Sequence, residues 1–284
     1  MNDAILNKIT LKVKKIIRKM KHFSKQSMPS FLSVFGVIVI WQLSVMLFKI
    51  PNYVLPSPIE SITSLFIYWP DISKNLFTTL YEVSIGFLAS VVISIPLATL
   101  ISYSKTFEKT IYPFMVLIQL IPKVAIAPLF TIWFGFGITP KILMVFLLSF
   151  FPLLIDAIVG LKSLNGRLVY LAHTMSDSEW KFFWKIKLPN ALPQIFAGLK
   201  VSIAFATVGA IVAEFLGSDS GLGHLLLRAN GDYNTRLLFA ILIVLSVMGI
   251  MFFKIIEFIE KKAIPWHVSQ RADSITKKMD DASI

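Results

Sequence analysis

The feature that most constrains this chain is a series of six apolar runs, which meet or approach the roughly 20 residues that cross a membrane as a helix. The runs show no strict alternation of apolar and polar residues, so the sequence predicts helices and not a membrane β-barrel. The six predicted spans are, in order, Phe31–Phe48, Asn75–Tyr103, Ile111–Phe134, Pro140–Leu161, Ala191–Leu216 and Leu237–Ile259.

The composition supports the same conclusion. Of the 284 residues, 56% are hydrophobic and only 15% are charged, whereas soluble domains average about 45–50% and 25%. A soluble domain of this length could not bury so much apolar surface in one core. The sequence therefore predicts an all-α integral membrane protein, and it argues against a soluble enzyme, a nucleic-acid-binding domain or a disordered chain.

The positive charges orient the predicted bundle. The segments before the first span, between the second and third, between the fourth and fifth, and after the sixth hold 20 of the 28 Lys and Arg residues, against 5 in the opposite loops or, for Lys141, at the edge of one. Because Lys and Arg accumulate on the cytoplasmic side of membrane proteins, both termini are predicted to be cytoplasmic. The net charge of +12 then reflects membrane topology and not binding to nucleic acid.

Three regions follow from these spans. Residues 1–28 are predicted to be a cytoplasmic, basic, amphipathic segment that lies on the anionic inner leaflet, because a stripe of apolar residues runs beside eight basic ones. Residues 29–264 are the predicted membrane domain, and residues 265–284 a cytoplasmic tail. The alternative for the first span is a cleaved signal peptide, but the apolar run has 18 residues and no small-x-small cleavage site follows it.

Small residues recur at every fourth position in two spans. Because small side chains let helices approach closely, the two stripes predict either packing inside one chain or a face on a pathway or dimer contact. The stripes consist of Gly86, Ser90, Ser94 and Ala98 in the second span and of Gly198, Ser202, Ala206 and Ala210 in the fifth.

Two features inside the membrane are candidates for a translocation pathway. Pro122 and Pro128 interrupt the third span, and Lys123 lies between them. Proline removes a backbone donor, and a lysine at membrane depth is costly, so Lys123 is either a pathway residue or a partnered structural lysine. Glu214, just before a glycine-rich stretch, is either interfacial or pathway-lining.

The sequence gives no support for catalysis or for a bound cofactor. It has no cysteine, its four histidines are scattered, and its acidic residues form no nucleophile–base or metal-binding motif. We therefore predict no catalytic, cofactor-binding or metal site.

The predicted cytoplasmic loop 162–190 is the most informative stretch. Its first part, near residues 167–175, has the apolar spacing of a short amphipathic helix. Ser176 and Glu179 then form a predicted capping box for a second helix, which Pro189 is expected to end. Such a loop is either a surface helix pair or an element that docks into the groove of a partner.

The end of this loop resembles the conserved loop of the permease subunits of binding-protein-dependent ABC importers. That family pattern is Glu-Ala-Ala, three residues, Gly, nine residues and Ile-x-Leu-Pro. The chain matches it at Ala172, has Ser176 at the glycine position, and matches again at Ile186, Leu188 and Pro189, whereas Tyr170 and Leu171 depart from it.

Further stretches are similar to permeases of the nitrate, sulfonate and taurine branch of this family. They are Leu55–Pro58, Ile121–Leu129, Trp133–Gly137, Phe150–Pro152, Val212–Glu214 and Ser220–Gly223. The resemblance covers most of residues 50–225. It implies the type I importer permease fold in a bacterial plasma membrane.

The resemblance also implies partners and roles. Such a permease pairs with a second copy, rests on a cytoplasmic ATPase and receives its solute from an extracytoplasmic binding protein. The chain has no phosphate-binding loop, so it is not an enzyme by itself and ATP would be hydrolysed by the partner. The expected solute is an aliphatic sulfonate, taurine or nitrate-type anion, the alternative a pyrimidine precursor of thiamine, and a secondary transporter is the remaining hypothesis.

The candidate site residues fall into two groups. The expected coupling residues, which would contact the ATPase, are Leu168, Leu171, Ala172, Met175, Ser176, Asp177, Trp180, Ile186, Leu188 and Pro189. The expected pathway residues are Pro122, Lys123, Pro128 and Glu214.

Overall fold

The computed structural model describes residues 32–166 and 178–266. Throughout these two ranges the regular secondary structure is helical, which confirms the predicted fold class. The helices are α1 (Leu32–Leu47), α2 (Pro58–Ile67), α3 (Trp69–Tyr103), α4 (Lys105–Leu120), α5 (Ala127–Phe134), α6 (Ile138–Lys162), α7 (Glu179–Phe215), α8 (Leu222–Gly231) and α9 (Thr235–Ala263).

Within the described residues, four helices are long and apolar enough to cross a membrane, namely α3, α6, α7 and α9. They coincide with the second, fourth, fifth and sixth predicted spans, although each begins earlier in the chain than predicted. The third predicted span is broken: the chain bends by 82° between α4 and the segment Lys123–Phe134, which ends in α5. Helix α1 has 16 residues. The count of six spans therefore stays a prediction, as does the placement of both termini.

Helix α6 lies at the centre of the bundle, between α3 and α7. The two predicted stripes of small residues face it and are buried. A Cβ atom on Gly86 would lie 2.5 Å from the Val145 Cγ1 atom, and one on Gly198 would lie 2.6 Å from the Asp156 Cβ atom. The small residues thus allow α3 and α7 to pack closely on α6, which supports their interpretation as packing surfaces within one chain.

Short helices close the end of the bundle where α6 begins and α7 ends, which we call the outer end in line with the predicted orientation. Helix α2 begins with a capping box, in which the Glu60 backbone N–H donates to the Ser57 hydroxyl and the Glu60 carboxylate accepts from the Ser57 N–H. Glu60 also forms an ion pair with Arg236 at 2.9 Å, which joins α2 to the first turn of α9.

Candidate functional site

Lys123 lies at the break between α4 and α5. Its Nζ atom donates to the backbone carbonyl of Gln119 at 3.0 Å and lies 4.9 Å from the centroid of the Phe151 ring. The carbonyls of the last turn of a helix are its negative end, so they favour a cation there. Lys123 therefore has a structural partner on α4 and an aromatic neighbour on α6, and its predicted role in a pathway stays a prediction.

The two prolines of this segment occupy positions where a missing N–H costs little. Pro122 has the extended backbone (φ −62°, ψ 92°) that separates α4 from the 3₁₀ turn Lys123–Ile126. Pro128 lies in the first turn of α5, where backbone N–H groups have no partner within the helix. Both prolines are exposed.

Glu214 is buried at the end of α7, with 1% of its surface exposed. Its Oε1 atom accepts from the Thr79 hydroxyl at 2.6 Å, and its Oε2 atom accepts from the backbone N–H of Gly223 at 2.5 Å. Gly223 lies in the first turn of α8, so the carboxyl group of Glu214 caps a backbone N–H that has no partner within that helix. Glu214 thus joins α3, α7 and α8, and a role along the pathway stays a prediction.

Two residues of α3 complete this arrangement. Asn75 Oδ1 accepts from the N–H of Gly221 at 2.7 Å, and Thr79 Oγ1 accepts from the N–H of Leu222 at 2.8 Å. We call Asn75, Thr79 and Glu214, with the three N–H groups that they bind, the outer cluster. It explains the glycine at 221, which has a φ of +108° and whose added Cβ atom would overlap the Glu214 carboxylate.

An ion pair that was not predicted from the sequence lies beside the outer cluster. Lys141 of α6 donates to Glu82 of α3 at 2.6 Å, and the two side chains are 7% and 0% exposed. The Glu82 and Glu214 carboxyl groups are also neighbours. Glu82 follows Asn75 and Thr79 on the same face of α3, and a charged residue inside a span requires a partner, so this position offered a usable signal.

A cleft of about 230 Å³ opens next to this ion pair. It is lined by Thr78, Glu82, Gly137, Ile138, Lys141, Asp219 and Ser220. The cleft therefore connects the buried charges of α3 and α6 with the loop that follows α7.

The predicted coupling residues are only partly described. Leu168, Leu171, Ala172, Met175, Ser176 and Asp177 lie outside the described residues, as does the predicted helix near 167–175. Trp180 is 71% exposed and packs edge to face on Trp184, with 5.6 Å between the ring centroids. Ile186 is also exposed, whereas Leu188 packs against a buried cluster of α3, α6 and α7.

The expectation that Pro189 ends a separate helix was wrong. Helix α7 runs from Glu179 to Phe215 without interruption and contains a π-helical turn at Phe183–Lys187. In an α-helix the proline ring would collide with the carbonyl four residues earlier. The wider π turn immediately before Leu188 moves that carbonyl away and lets the helix continue through Pro189.

The structure therefore places the candidate residues in three separate groups. Lys123 contacts α4 and α6, Glu214 contacts α3 and α8, and the coupling residues that are described lie at the opposite end of α7. The contacts of the first two groups are structural.

Comparisons with known proteins agree on one family. The family model described as "Binding-protein-dependent transport system inner membrane component" matches residues 86–265. The chain is similar to the formylaminopyrimidine transport permease protein ThiX of Halalkalibacterium halodurans, with 34% identity over 252 residues, covering 87% of this chain and 99% of that protein. It is also similar to the putative aliphatic sulfonates transport permease protein SsuC of Bacillus subtilis, with 30% identity over 82% of this chain and 85% of that protein.

The fold comparison gives the same result. A chain of the inward-facing MetNI methionine ABC transporter superposes with a TM-score of 0.62 at 15% sequence identity, covering 69% of this chain and 97% of that one. At this identity the likeness concerns the fold alone.

Proposed function

Because the chain belongs to the family of binding-protein-dependent transport system inner membrane components, we propose that it forms, with a second copy, the pathway of an ATP-driven importer. The chain is an ABC importer permease and a multi-pass protein of the bacterial plasma membrane. The proposal adds that a cytoplasmic ATPase drives it and that an extracytoplasmic binding protein delivers the solute. The observation that carries the proposal is the family match over residues 86–265.

The proposed mechanism requires that the helix bundle has two packing arrangements of similar free energy. ATP binding closes the ATPase dimer and moves the docked loops of both permeases. The bundle then shifts from an inward-open to an outward-open state, and hydrolysis resets it. The loaded binding protein would favour the same shift from the outer side, so the two partners act on one equilibrium.

The exposed Trp180 supports a dock at the cytoplasmic end of α7. A large aromatic side chain that is 71% exposed beside a second exposed tryptophan is typical of an anchor for a protein partner. We propose that Trp180 enters an apolar socket of the ATPase, together with Met175 from the loop before it. An aspartate in that socket would be an unpaired buried charge and would cost several kcal/mol.

The dock is tested with Trp180→Asp and with Trp266→Asp as a matched control. Trp266 is also an exposed tryptophan, 49% accessible, and it follows α9 at the same end of the bundle. Tagged chains are purified from gently solubilised native membranes, and the co-purifying ATPase is quantified by mass spectrometry. The expected result is loss of the ATPase with Trp180→Asp and retention with Trp266→Asp. Equal recovery with both variants would contradict the proposed dock, and a chain that purifies alone would contradict the importer itself.

For the solute we propose a formylaminopyrimidine-like molecule. The relative named for that transport is 34% identical over 99% of its own length. An aliphatic sulfonate is the second candidate, because a lysine at a break between helices favours an anion and a sulfonate permease is 30% identical to this chain.

The co-purified binding protein distinguishes the two solutes. Its melting temperature is measured with formylaminopyrimidine and with ethanesulfonate, and the solute that raises it is then used for uptake. If the sulfonate is the solute, Lys123→Gln should lower uptake while the binding protein still docks. Unchanged uptake by that variant would contradict a role of Lys123 in the pathway, and its contacts with Gln119 and Phe151 would then be structural only.

A further inference from the structure

A buried lysine at the cytoplasmic end of the bundle has no part in the mechanism above. Lys187 is the last residue of the π turn in α7 and is only 8% exposed. Its Nζ atom lies 3.6 Å from the centroid of the Tyr103 ring and donates to the backbone carbonyl of Ser102 at 3.4 Å. We call Ser102, Tyr103 and Lys187 the α3–α7 junction.

At this junction, electrostatic interactions of the Lys187 ammonium group hold α7 to α3, in addition to the packing of the two helices. The carbonyl of Ser102 belongs to the last turn of α3, where unpaired carbonyls form the negative end of the helix. The face of an aromatic ring also attracts a cation, and more strongly when both are withdrawn from water. The lysine side chain therefore finds at the end of α3 the two kinds of partner that compensate its burial.

The π turn separates two parts of α7 that have different contacts. After it, Asn190 donates to Ser163 at 3.0 Å and Gln194 donates to Asp156 at 2.7 Å, so this part is fixed to α6. Before it, α7 carries the exposed Trp180 of the proposed dock. Such turns concentrate at functional positions in helices. Lys187 thus stands between the part of α7 that is bonded to α6 and the first turn of α7, which carries Trp180.

Helix α3 leads from this boundary to the other end of the bundle. Its 35 residues span about 50 Å at the α-helical rise. Near its first turns Asn75 and Thr79 hold the N–H groups at the start of α8. A displacement of α7 at Lys187 therefore acts on a helix whose other end holds the outer cluster.

We propose that Lys187 is a positioning residue of the transport cycle, which transmits movement of the cytoplasmic segment before α7 to α3. This inference rests on the proposed importer function. The side chain of Lys187→Met has a similar length and can still pack on the ring, but it has neither the positive charge over the ring nor the hydrogen bond to Ser102. Lys187→Arg keeps a cation at the same place. Lys185→Met is the matched control, because Lys185 belongs to the same π turn but is exposed.

The first test measures coupling in the complete complex of permease, ATPase and binding protein in proteoliposomes. Uptake of radiolabelled formylaminopyrimidine, or of ethanesulfonate if that is the bound solute, is divided by the ATP hydrolysed. Lys187→Met should lower this ratio about fivefold or more, the lower end of coupling between linked sites. Lys187→Arg and Lys185→Met should stay within about twofold of the unsubstituted complex, a change below that coupling range.

The second test measures how accessible the outer cleft is to a thiol reagent. The chain has no cysteine, so Thr78→Cys places a single thiol in the outer cleft. ATP should change the rate at which a maleimide labels this thiol, and Lys187→Met should abolish the change while the ATPase remains bound. If Lys187→Met does not assemble, Tyr103→Leu removes the ring contact and leaves the lysine in place, with the same expectation.

The outcomes separate the two proposals. If Lys187→Met keeps both its uptake per ATP and its ATP-dependent labelling, the role of Lys187 is refuted and the importer function stands. If the unsubstituted complex hydrolyses no ATP and imports neither probe, the importer function fails, and the role of Lys187 fails with it.

Discussion

Gly221→Ala is expected to destabilise the protein at the outer cluster. Gly221 has a φ of +108°, a conformation that side chains with a Cβ atom rarely adopt, and its added methyl group would overlap the Glu214 carboxylate. The carboxylate cannot retreat without loss, because it accepts from Thr79 and from the N–H of Gly223 at 2.6 Å and 2.5 Å. The substitution therefore strains the backbone at residue 221 and also displaces a side chain that accepts two hydrogen bonds.

The size of the effect follows from these contacts. Holding alanine in the strained conformation costs about 1–3 kcal/mol. Moving the carboxyl group leaves a buried donor unpaired, which costs about 1–3 kcal/mol. If strain and one unpaired donor combine, the free energy of unfolding falls by about 2–6 kcal/mol. That loss lowers the unfolding midpoint on the order of 10 °C for a chain of this size.

The assay is thermal unfolding of the purified chain in detergent, followed by circular dichroism. Gly231→Ala is the matched control, because this glycine ends α8, its backbone is not left-handed, and an added Cβ atom meets no atom within 4 Å. It should leave the midpoint unchanged or raise it slightly, since alanine favours helices. If Gly221→Ala and Gly231→Ala unfold at the same temperature, Glu214 does not hold the start of α8 as argued here.

Two further perturbations test the charges of the bundle. Lys141→Met should lower the free energy of unfolding by about 3–5 kcal/mol, because it leaves the buried Glu82 carboxylate unpaired. Adding Glu82→Leu should restore most of this free energy. In the same unfolding assay, a double variant whose loss of stability equals the sum of the two single losses would contradict this. The N–H of Ser57, with a smaller contribution from Arg236, holds the pKa of Glu60 below its ordinary value. Glu60 should therefore stabilise the fold above that ordinary value and lose this contribution as the pH falls through its lowered pKa. Between pH 7 and pH 3, the free energy of unfolding should fall by less in Glu60→Gln than in the unsubstituted chain. An equal fall in both would contradict the stabilising role assigned to the Glu60 carboxylate.

The long helices were predictable because the membrane imposes their length. Helices α3, α6, α7 and α9 coincide with apolar runs, since every backbone group in the hydrocarbon core must be paired within the segment. Hydropathy marks only the part of a helix that lies in hydrocarbon. Helix α3 therefore begins at Trp69, six residues before the predicted Asn75, because its polar first turns are helical as well.

The charged contacts were not predictable from the same patterns. Glu82 and Lys141 are 59 residues apart, and their pairing depends on how α3 packs against α6. Lys141 is the second residue of the predicted span Pro140–Leu161 and was counted with the outer loops, because a charge at the end of an apolar run is usually interfacial. Glu214 was identified as a candidate, but its partner Thr79 is 135 residues away. Local sequence marks a charge as costly, whereas only the packing of the helices determines which group compensates it.

The π turn explains why the predicted end of a helix at Pro189 was wrong although the rule behind it is sound. Proline removes a hydrogen bond from the interior of an α-helix and destabilises it, and Pro189 was therefore expected to end one. The rule assumes α-helical geometry on the preceding turn. Here the preceding turn is widened, and burial of Lys187 and packing of Leu188 against a core of three helices hold it in place. Tertiary contacts thus override the local preference where the Ile-x-Leu-Pro motif ends the cytoplasmic loop. Since departures from local rules concentrate at functional sites, the position of this turn agrees with the role in the transport cycle proposed for Lys187.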